Sequence, residues 1–249
     1  MRIAIVGYGR MGHEIEEIAL QRGHTCVSID TSNTEADHTE ISEGSVSGAD
    51  VCIDFTHPDS ALPNIEAMAG LGKDMVIGTT GWYRRLPDVK EIVKKSDVGF
   101  LWSPNFSIGV NLYFRLVEAA AKLFNSIEDY DVMGYEIHHN GKADSPSGTA
   151  IKITDILLKN ITKKSKAEYG MLNRRPDTDE LHYASVRGGS NPGFHTVQFD
   201  SPFDTIEVSH QNRNRQGLAL GAVLGAEFIS GRKGYYEIED LIESLIGGN

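Results

Sequence analysis

Ile3-Ala4-Ile5-Val6-Gly7-Tyr8-Gly9-Arg10-Met11-Gly12 runs from four apolar residues straight into a glycine-spaced turn. A short apolar run that stops at glycine is the signature of a strand buried on both faces. Ile15, Ile18 and Ala19 then recur at helical spacing, and Gly23 after Arg22 supplies a C-terminal stop. In such a strand–turn–helix unit each glycine has a task. Gly7 permits the tight turn, Gly9 lets backbone approach a pyrophosphate, and Gly12 lets the helix pack closely on the sheet. The helix N-terminus offers free N–H groups and a partial positive charge, to which Arg10 adds a full one. Gly7, Tyr8, Gly9, Arg10, Met11 and Gly12 are therefore candidate dinucleotide-binding residues.

The same alternation continues for about a hundred residues. Strands are expected at 26–30, 51–55, 74–77 and 98–102. Between them lie helical stripes, one opening at Pro58 and carrying Leu62, Ile65, Met68 and Ala69, another made of Leu86, Val89, Ile92 and Val93. Strands alternating with helices imply a parallel doubly wound sheet of the Rossmann type. Asp30 ends the second strand 18 residues past Gly12, placed to accept hydrogen bonds from ribose hydroxyls and to repel a 2′-phosphate. Thr31-Ser32-Asn33 follows with no cation to receive that phosphate, so NADH is expected as the preferred cofactor, or dual NADH/NADPH use. Two further turns close strands at their carboxyl ends, Gly78-Thr79-Thr80-Gly81 and Ser103-Pro104-Asn105-Phe106. Doubly wound sheets place ligands there, so Gly78, Thr79, Thr80, Ser103, Pro104, Asn105 and Phe106 join the candidate cofactor residues.

The texture changes after about residue 106. A helix is expected over 110–124, a strand over 130–138, a helix over 147–158, and a polar, exposed connection over 160–180. Three short strands at 183–186, 196–199 and 205–208 are separated by Gly188-Gly189, Pro192-Gly193 and Ser201-Pro202 turns, and helices at 217–228 and 238–246 follow. The fold class is thus α/β, a Rossmann-type sheet with a second α+β domain carrying a mainly antiparallel sheet. Residues 1–106 plus 213–249 are expected to form the dinucleotide-binding domain, and 107–212 the substrate-binding and oligomerisation domain.

Composition narrows the partners. The 249 residues carry a formal net charge of −11, which argues against nucleic acid, since that needs a basic face. An acidic chain also repels small anions, so any anion site must be built from local positive groups. Cys26 and Cys52 lie in short apolar runs and read as buried thiols; no histidine–cysteine set has zinc spacing, and no metal is expected. The longest apolar stretch, 217–226, ends at Glu227, short of the roughly 20 residues that cross a bilayer. Residues 1–6 are too short for a signal-peptide core, and a cytoplasmic location is expected.

The chemistry concentrates in Glu136-Ile137-His138-His139-Asn140-Gly141-Lys142-Ala143-Asp144-Ser145-Pro146-Ser147-Gly148-Thr149-Ala150. Adjacent histidines at a strand end point to opposite faces if the extended form continues. Lys142 can fold back across the Asn140-Gly141 turn, and Ser145-Pro146-Ser147 starts a helix whose first N–H groups belong to Gly148 and Thr149. A lysine, imidazoles and a helix N-terminus in one short segment make an anion pocket that contains proton donors.

This segment resembles the dihydrodipicolinate reductase (4-hydroxy-tetrahydrodipicolinate reductase) family, whose signature is Glu-x-His-His-x-x-Lys-x-Asp-Ala-Pro-Ser-Gly-Thr-Ala, with Ser145 here where alanine is usual. Gly9-Arg10-Met11-Gly12, Asp54-Phe55-Thr56-x-Pro58, Gly78-Thr79-Thr80-Gly81 and Asn105-Phe106-Ser107-x-Gly109-Val110-Asn111 match as well, in order. The resemblance implies His138 as proton donor and acceptor, Lys142 as a proton donor, and His139 with the Gly148-Thr149 backbone as contacts to substrate carboxylates. It implies hydride transfer from NAD(P)H to C4 of a cyclic imine dicarboxylate after loss of its hydroxyl as water, giving tetrahydrodipicolinate in the diaminopimelate–lysine route. It further implies a homotetramer. Two departures stand out: the glycine loop is one residue shorter than in most members, and the usual acid-then-arginine pair is Asp30-Thr31. Arg187-Gly188-Gly189 and His195 resemble the family's strand region near the substrate, with no role assigned. The competing readings are another nicotinamide-linked amino-acid dehydrogenase, acting on aspartate or diaminopimelate, and an NAD(H)-sensing protein without turnover.

Overall fold

The computed structural model describes residues 1–247. The chain forms two compact units, Met1–Asn111 with Arg215–Asn249, and Leu112–Asn214. In the first unit the strands are β1 (Arg2–Val6), β2 (Thr25–Ile29), β3 (Val51–Asp54), β4 (Asp74–Ile77), β5 (Gly99–Trp102) and β11 (Gly234–Glu237), and they form one sheet in the order β11-β5-β4-β3-β1-β2. Every pair in it is parallel. The order reverses direction between β1 and β3, so the loops leaving these two strands diverge and open a crevice, as in other doubly wound sheets.

Side-chain alternation assigns the two faces. Ile3, Ile5, Val51, Ile53, Val76 and Leu101 pack with α1 (Arg10–Gln21), α6 (Gln216–Ile229) and α7 (Ile238–Gly247). Ala4, Val6, Val27, Cys52, Met75 and Phe100 face α2 (Pro58–Gly70) and α3 (Leu86–Ser96). Helix α6 approaches closely because its inner face is small: a Cβ on Gly221 would lie 1.7 Å from the Phe106 carbonyl oxygen. Strand β11 is an element the periodicity does not predict, since Gly-Tyr-Tyr-Glu is four residues between a turn and a helix.

The second unit is built on β6 (Asp131–His138), β7 (Lys166–Glu168), β8 (Glu180–Arg187), β9 (Phe194–Asp200) and β10 (Thr205–Gln211), in the order β10-β9-β6-β8-β7. The sheet is mixed rather than mainly antiparallel: β10–β9 and β9–β6 run antiparallel, β6–β8 and β8–β7 parallel. The reason is the connection. Short turns link β8, β9 and β10, but the chain from β6 to β8 passes through α5 (Gly148–Asn160), long enough to return parallel. Residues 160–180 are also more than an exposed link. They contain β7, and Lys164 is buried there, donating to the Thr178 and Glu180 carbonyls at 3.0 and 2.8 Å and pairing with Asp131 at 2.8 Å. One face of this sheet packs Val132, Tyr183, Val197 and Phe199 against α4 (Ile108–Phe124) and α5.

Candidate active site

The first unit holds a cleft of about 470 Å³ where β1, β2 and β3 end, lined by Gly7, Gly9, Asp30, Glu40, Thr56 and Asn64 among others. Gly7 has φ +91°, and a Cβ there would sit 2.4 Å from the Phe55 carbonyl oxygen, so only glycine fits. A Cβ on Gly12 would lie 2.4 Å from the Gly7 carbonyl oxygen. Gly9, by contrast, faces open space and begins α1 with no side-chain cap, leaving the first amides of the helix for a ligand. The flanking residues divide. Arg10 is exposed, while Tyr8 is buried, its hydroxyl donating to Glu16, and Met11 packs on the core.

Asp30 lines the cleft but is already bound by its own loop. Oδ1 accepts from Ser32 N, Ser32 Oγ and Asn33 N at 2.8, 3.0 and 2.9 Å, and Oδ2 accepts from Tyr8 N at 2.8 Å. Burial opposes its charge, but these bonds outweigh burial and hold its carboxyl below the usual range. Oδ2 accepts one bond and keeps capacity for another.

The other predicted cofactor turns line no part of this cleft, yet they are tied to it. Phe55 lines the cleft, and its ring occupies the place a Cβ of Gly78 would need, 2.0 Å from Cζ; its centroid is 6.0 Å from that of Phe106. Below it, fully buried Asp54 accepts from Thr79 Oγ1 at 2.6 Å, Thr56 Oγ1 at 2.8 Å and Asn64 Nδ2 at 2.7 Å. Burial pushes the Asp54 carboxyl upward against those donors. Thr80 and Pro104 are exposed, whereas Thr79, Ser103 and Phe106 are buried, so the latter hold the turns in shape. Ser103 Oγ accepts from Asn105 N at 3.0 Å, and Asn111 Nδ2 donates to the Asn105 carbonyl at 3.0 Å. Asp54 stood in a matched motif with no role of its own; a carboxylate inside Val-Cys-Ile-Asp-Phe was the available signal, because a buried acid must be met by donors.

In the second unit the residues of 136–150 come together as a cluster. Glu136 and His138 share the inner face of β6, while His139, just past the end of the strand, is partly exposed. The register sets His195 of β9 opposite Glu136 and Arg187 of β8 opposite His138. Glu136 is fully buried and accepts from Arg187 Nη2 at 2.7 Å, Ser185 Oγ at 2.8 Å, Ser147 N at 2.9 Å and the Ser147 hydroxyl. Its Oε2 lies 3.2 Å from His195 Nε2 and 3.4 Å from His138 Nδ1. Burial resists its ionisation, and the bonds from His195, Ser147 and Arg187 together overcome burial and hold it well below the carboxylate range. Metal-competent atoms of Glu136, His138 and His195 lie within 4.8 Å of one another, but the cation that this carboxylate contacts is Arg187.

Lys142 pairs with Asp144 at 2.8 Å and is a quarter exposed. Ser147 caps α5, accepting from Ala150 N at 3.1 Å, which leaves the Gly148 and Thr149 amides at the open end of the helix. Glu136, Arg187 and His195 carried no role in the sequence reading. Residues 136 and 195 meet only through strand pairing, which spacing along the chain does not reveal.

Burial, and then the charges of His195, Lys142 and Arg187, outweigh Glu136 and lower His138 to about 4 from the ordinary 6.5. The native imidazole is therefore neutral at pH 7, and the unfolded chain takes up the proton first as pH falls. Stability from this group is full above about 6.5 and is lost as pH drops towards about 4. Melting temperature should thus fall over that window, and His138→Gln should flatten the fall. An unchanged slope in the variant would contradict the assignment.

A family model described as the N-terminus of dihydrodipicolinate reductase matches residues 1–106, and the corresponding C-terminus model matches 109–242. The 4-hydroxy-tetrahydrodipicolinate reductase of Christiangramia forsetii is 40% identical over 248 residues, covering 98% of this chain and 99% of that one. The Ralstonia pickettii protein of the same name is 35% identical over 265 residues, covering 97% and 99%. Among solved structures, a dipicolinate-bound dihydrodipicolinate reductase from Paenisporosarcina superposes with a TM-score of 0.77 at 23% identity, covering 96% of this chain and 98% of that one. A scyllo-inositol dehydrogenase from Lactobacillus casei, solved with NAD(H), shares the fold at a TM-score of 0.57 and 12% identity, covering 100% and 90%. With both halves matched and full-length relatives at this identity, the chain belongs to the dihydrodipicolinate reductase family.

Proposed function

We infer that this chain is an oxidoreductase that reduces 4-hydroxy-tetrahydrodipicolinate to tetrahydrodipicolinate with loss of water, in the diaminopimelate route to lysine. The observation that carries the reading is the 136–150 segment, with His138, Lys142 and the open start of α5, in a chain 40% identical from end to end to a protein of that name. NADH oxidation that requires aspartate semialdehyde and pyruvate condensed in situ tests it. Oxidation with aspartate or diaminopimelate chemistry instead would replace it.

The residues present fit a dinucleotide. The uncapped α1 N-terminus suits a pyrophosphate, Gly9 leaves room for it, and the cleft is of ligand size. When bound, the reduced nicotinamide supplies the hydride. The protein's own part is to hold two carboxylates and deliver a proton. Lys142, His139 and the Gly148 and Thr149 amides provide the positive end of the substrate site. His138 is neutral in the free chain, but a dianionic ligand favours its protonated form. With Nδ1 turned towards Glu136, Nε2 is the nitrogen that exchanges a proton with the reduced ring.

For the cofactor we propose NADH, or dual NADH/NADPH use. Support comes from the cleft lining, which includes the carboxylates of Asp30 and Glu40 and neither lysine nor arginine among the described residues. A 2′-phosphate would enter against both charges. The ratio of kcat/KM for NADH over NADPH should exceed one, and a strong NADPH preference would remove the reading. Binding itself has an internal probe: the chain's two tryptophans, Trp82 and Trp102, stand directly after the Gly78–Gly81 turn and before Ser103. Added NADH should quench their emission.

A homotetramer is proposed through the second unit. Met133 and Val186 are exposed on the sheet face away from α4 and α5, beside half-buried Tyr135, Ile137 and Phe194. Sedimentation as a monomer at working concentration would contradict it. No helix among the described residues is long and apolar enough to cross a membrane, and with the charge of −11 this supports a cytoplasmic enzyme that does not bind nucleic acid.

A further inference from the structure

Glu136 is buried at the centre of the histidine cluster, and its two oxygens are divided between different parts of the site. Oε1 serves Ser147 N, Ser185 Oγ and Arg187, and Oε2 serves the Ser147 hydroxyl and His195. We propose that Glu136 is a positioning residue for the reduction, an ionised carboxylate that lies 3.4 Å from His138 Nδ1 and holds the Gly148-Thr149 turn and the Lys142 loop in one arrangement beside it. The proposal rests on the reading of His138 as the proton donor and adds the group through which that donor is set.

Three observations support it. First, Ser147 is the cap of α5, so the carboxylate that fixes Ser147 through both its amide and its hydroxyl also fixes the amides that follow. Second, Arg187 Nη2 donates to Glu136 Oε1 and to the Asp144 carbonyl, each at 2.7 Å, while Asp144 pairs with Lys142. The Glu136–Arg187 pair thus anchors both ends of the 142–147 loop. Third, Nδ1 of His138 and Nδ1 of His195 are buried with no hydrogen-bond partner. Unpaired polar atoms next to a buried charge destabilise a core, and a cluster serving stability alone is better built without imidazoles.

The charges facing His138 come from every neighbouring element: Glu136 on its own strand, His195 on β9, Arg187 on β8, and Lys142 with its partner Asp144 on the loop. Glu136 raises the proton affinity of His138 and Arg187 lowers it. Charge-removing variants should therefore act in opposite directions. Glu136→Gln keeps the shape and still accepts at Oε1; its kcat should fall by about tenfold or more above the titration, with the alkaline limb of kcat moving down by about 1 pH unit. Arg187→Gln should move that limb up. The NADH dissociation constant, read from tryptophan quenching, should stay at the wild-type value in both.

A limb that stays in place in both variants, with kcat falling only in step with melting temperature, would overturn the proposal. Wild-type kcat in Glu136→Gln would do the same. Should Glu136→Gln fail to fold, the upward shift in Arg187→Gln still decides. The underlying reading fails separately: if His138→Ala keeps wild-type turnover, the donor is wrong, whereas an inactive His138→Ala beside an unmoved limb removes Glu136 alone.

Discussion

His138→Ala lowers kcat by about 10²–10⁴-fold, the range a positioned proton donor contributes, while NADH still binds. The chain's own geometry separates these two outcomes. Every residue of the proposed nucleotide cleft belongs to the first unit, and His138 belongs to the second. Addition of hydride leaves an enamine-like anion that must take a proton, so without the imidazole the barrier to that step rises. The side chain is nearly buried, so a cavity contributes a loss of stability as well. Activity is therefore measured well below the melting transition, together with tryptophan quenching by NADH. Lys142→Ala should also cost turnover, with a larger rise in KM, since its ammonium is one of the few positive groups offered to the substrate carboxylates. Wild-type kcat in His138→Ala with normal quenching would move the proton chemistry to another residue.

Much of the site is local and hence legible along the chain. The turn after β1, the strand-end histidines and the Ser147 cap are each decided by residues within a few positions of one another, so periodicity and turn chemistry reach them. What escapes is whatever strand pairing assembles. His195 meets Glu136 because β9 and β6 run antiparallel in a fixed register, and nothing near residue 195 announces it. The parallel pairing of β6 with β8 escapes likewise, because turn signals describe only the strands they join. Lys-Ala-Glu at 166–168 carries no apolar alternation, and its pairing to Glu180–His182 is a backbone event. Buried carboxylates are the exception that could be read: Asp54 and Glu136 both interrupt apolar strands, and each proves to be the acceptor around which a turn or cap is fixed.

Gly221→Ala should be strongly destabilising. The added carbon would lie 1.7 Å from the Phe106 carbonyl oxygen and 2.7 Å from its carbon, and backbone cannot swing aside as a flexible side chain does. Helix α6 is packed on the sheet along the same line, where a Cβ on Gly225 would already sit 2.8 Å from Leu101 Cδ2, so relief requires the whole helix to withdraw from Val76 and Leu101. Overpacking of this severity costs about 3 kcal/mol or more, roughly 10 °C in melting temperature for a chain of this length. A second consequence separates this variant from ordinary destabilisation. Phe106 ends the Ser103–Phe106 turn, and its ring lies beside Phe55 at the cleft, so displacing its carbonyl shifts a cofactor turn. The NADH dissociation constant should rise even at temperatures where the fold is intact. Gly217→Ala is the control on the same helix, because its nearest neighbour would be Ser107 Oγ at 3.8 Å; stability there should hold or rise by about 0.5 kcal/mol as the unfolded chain loses freedom. If both variants melt alike and bind NADH alike, close approach of α6 to the turn is not what shapes the nucleotide site.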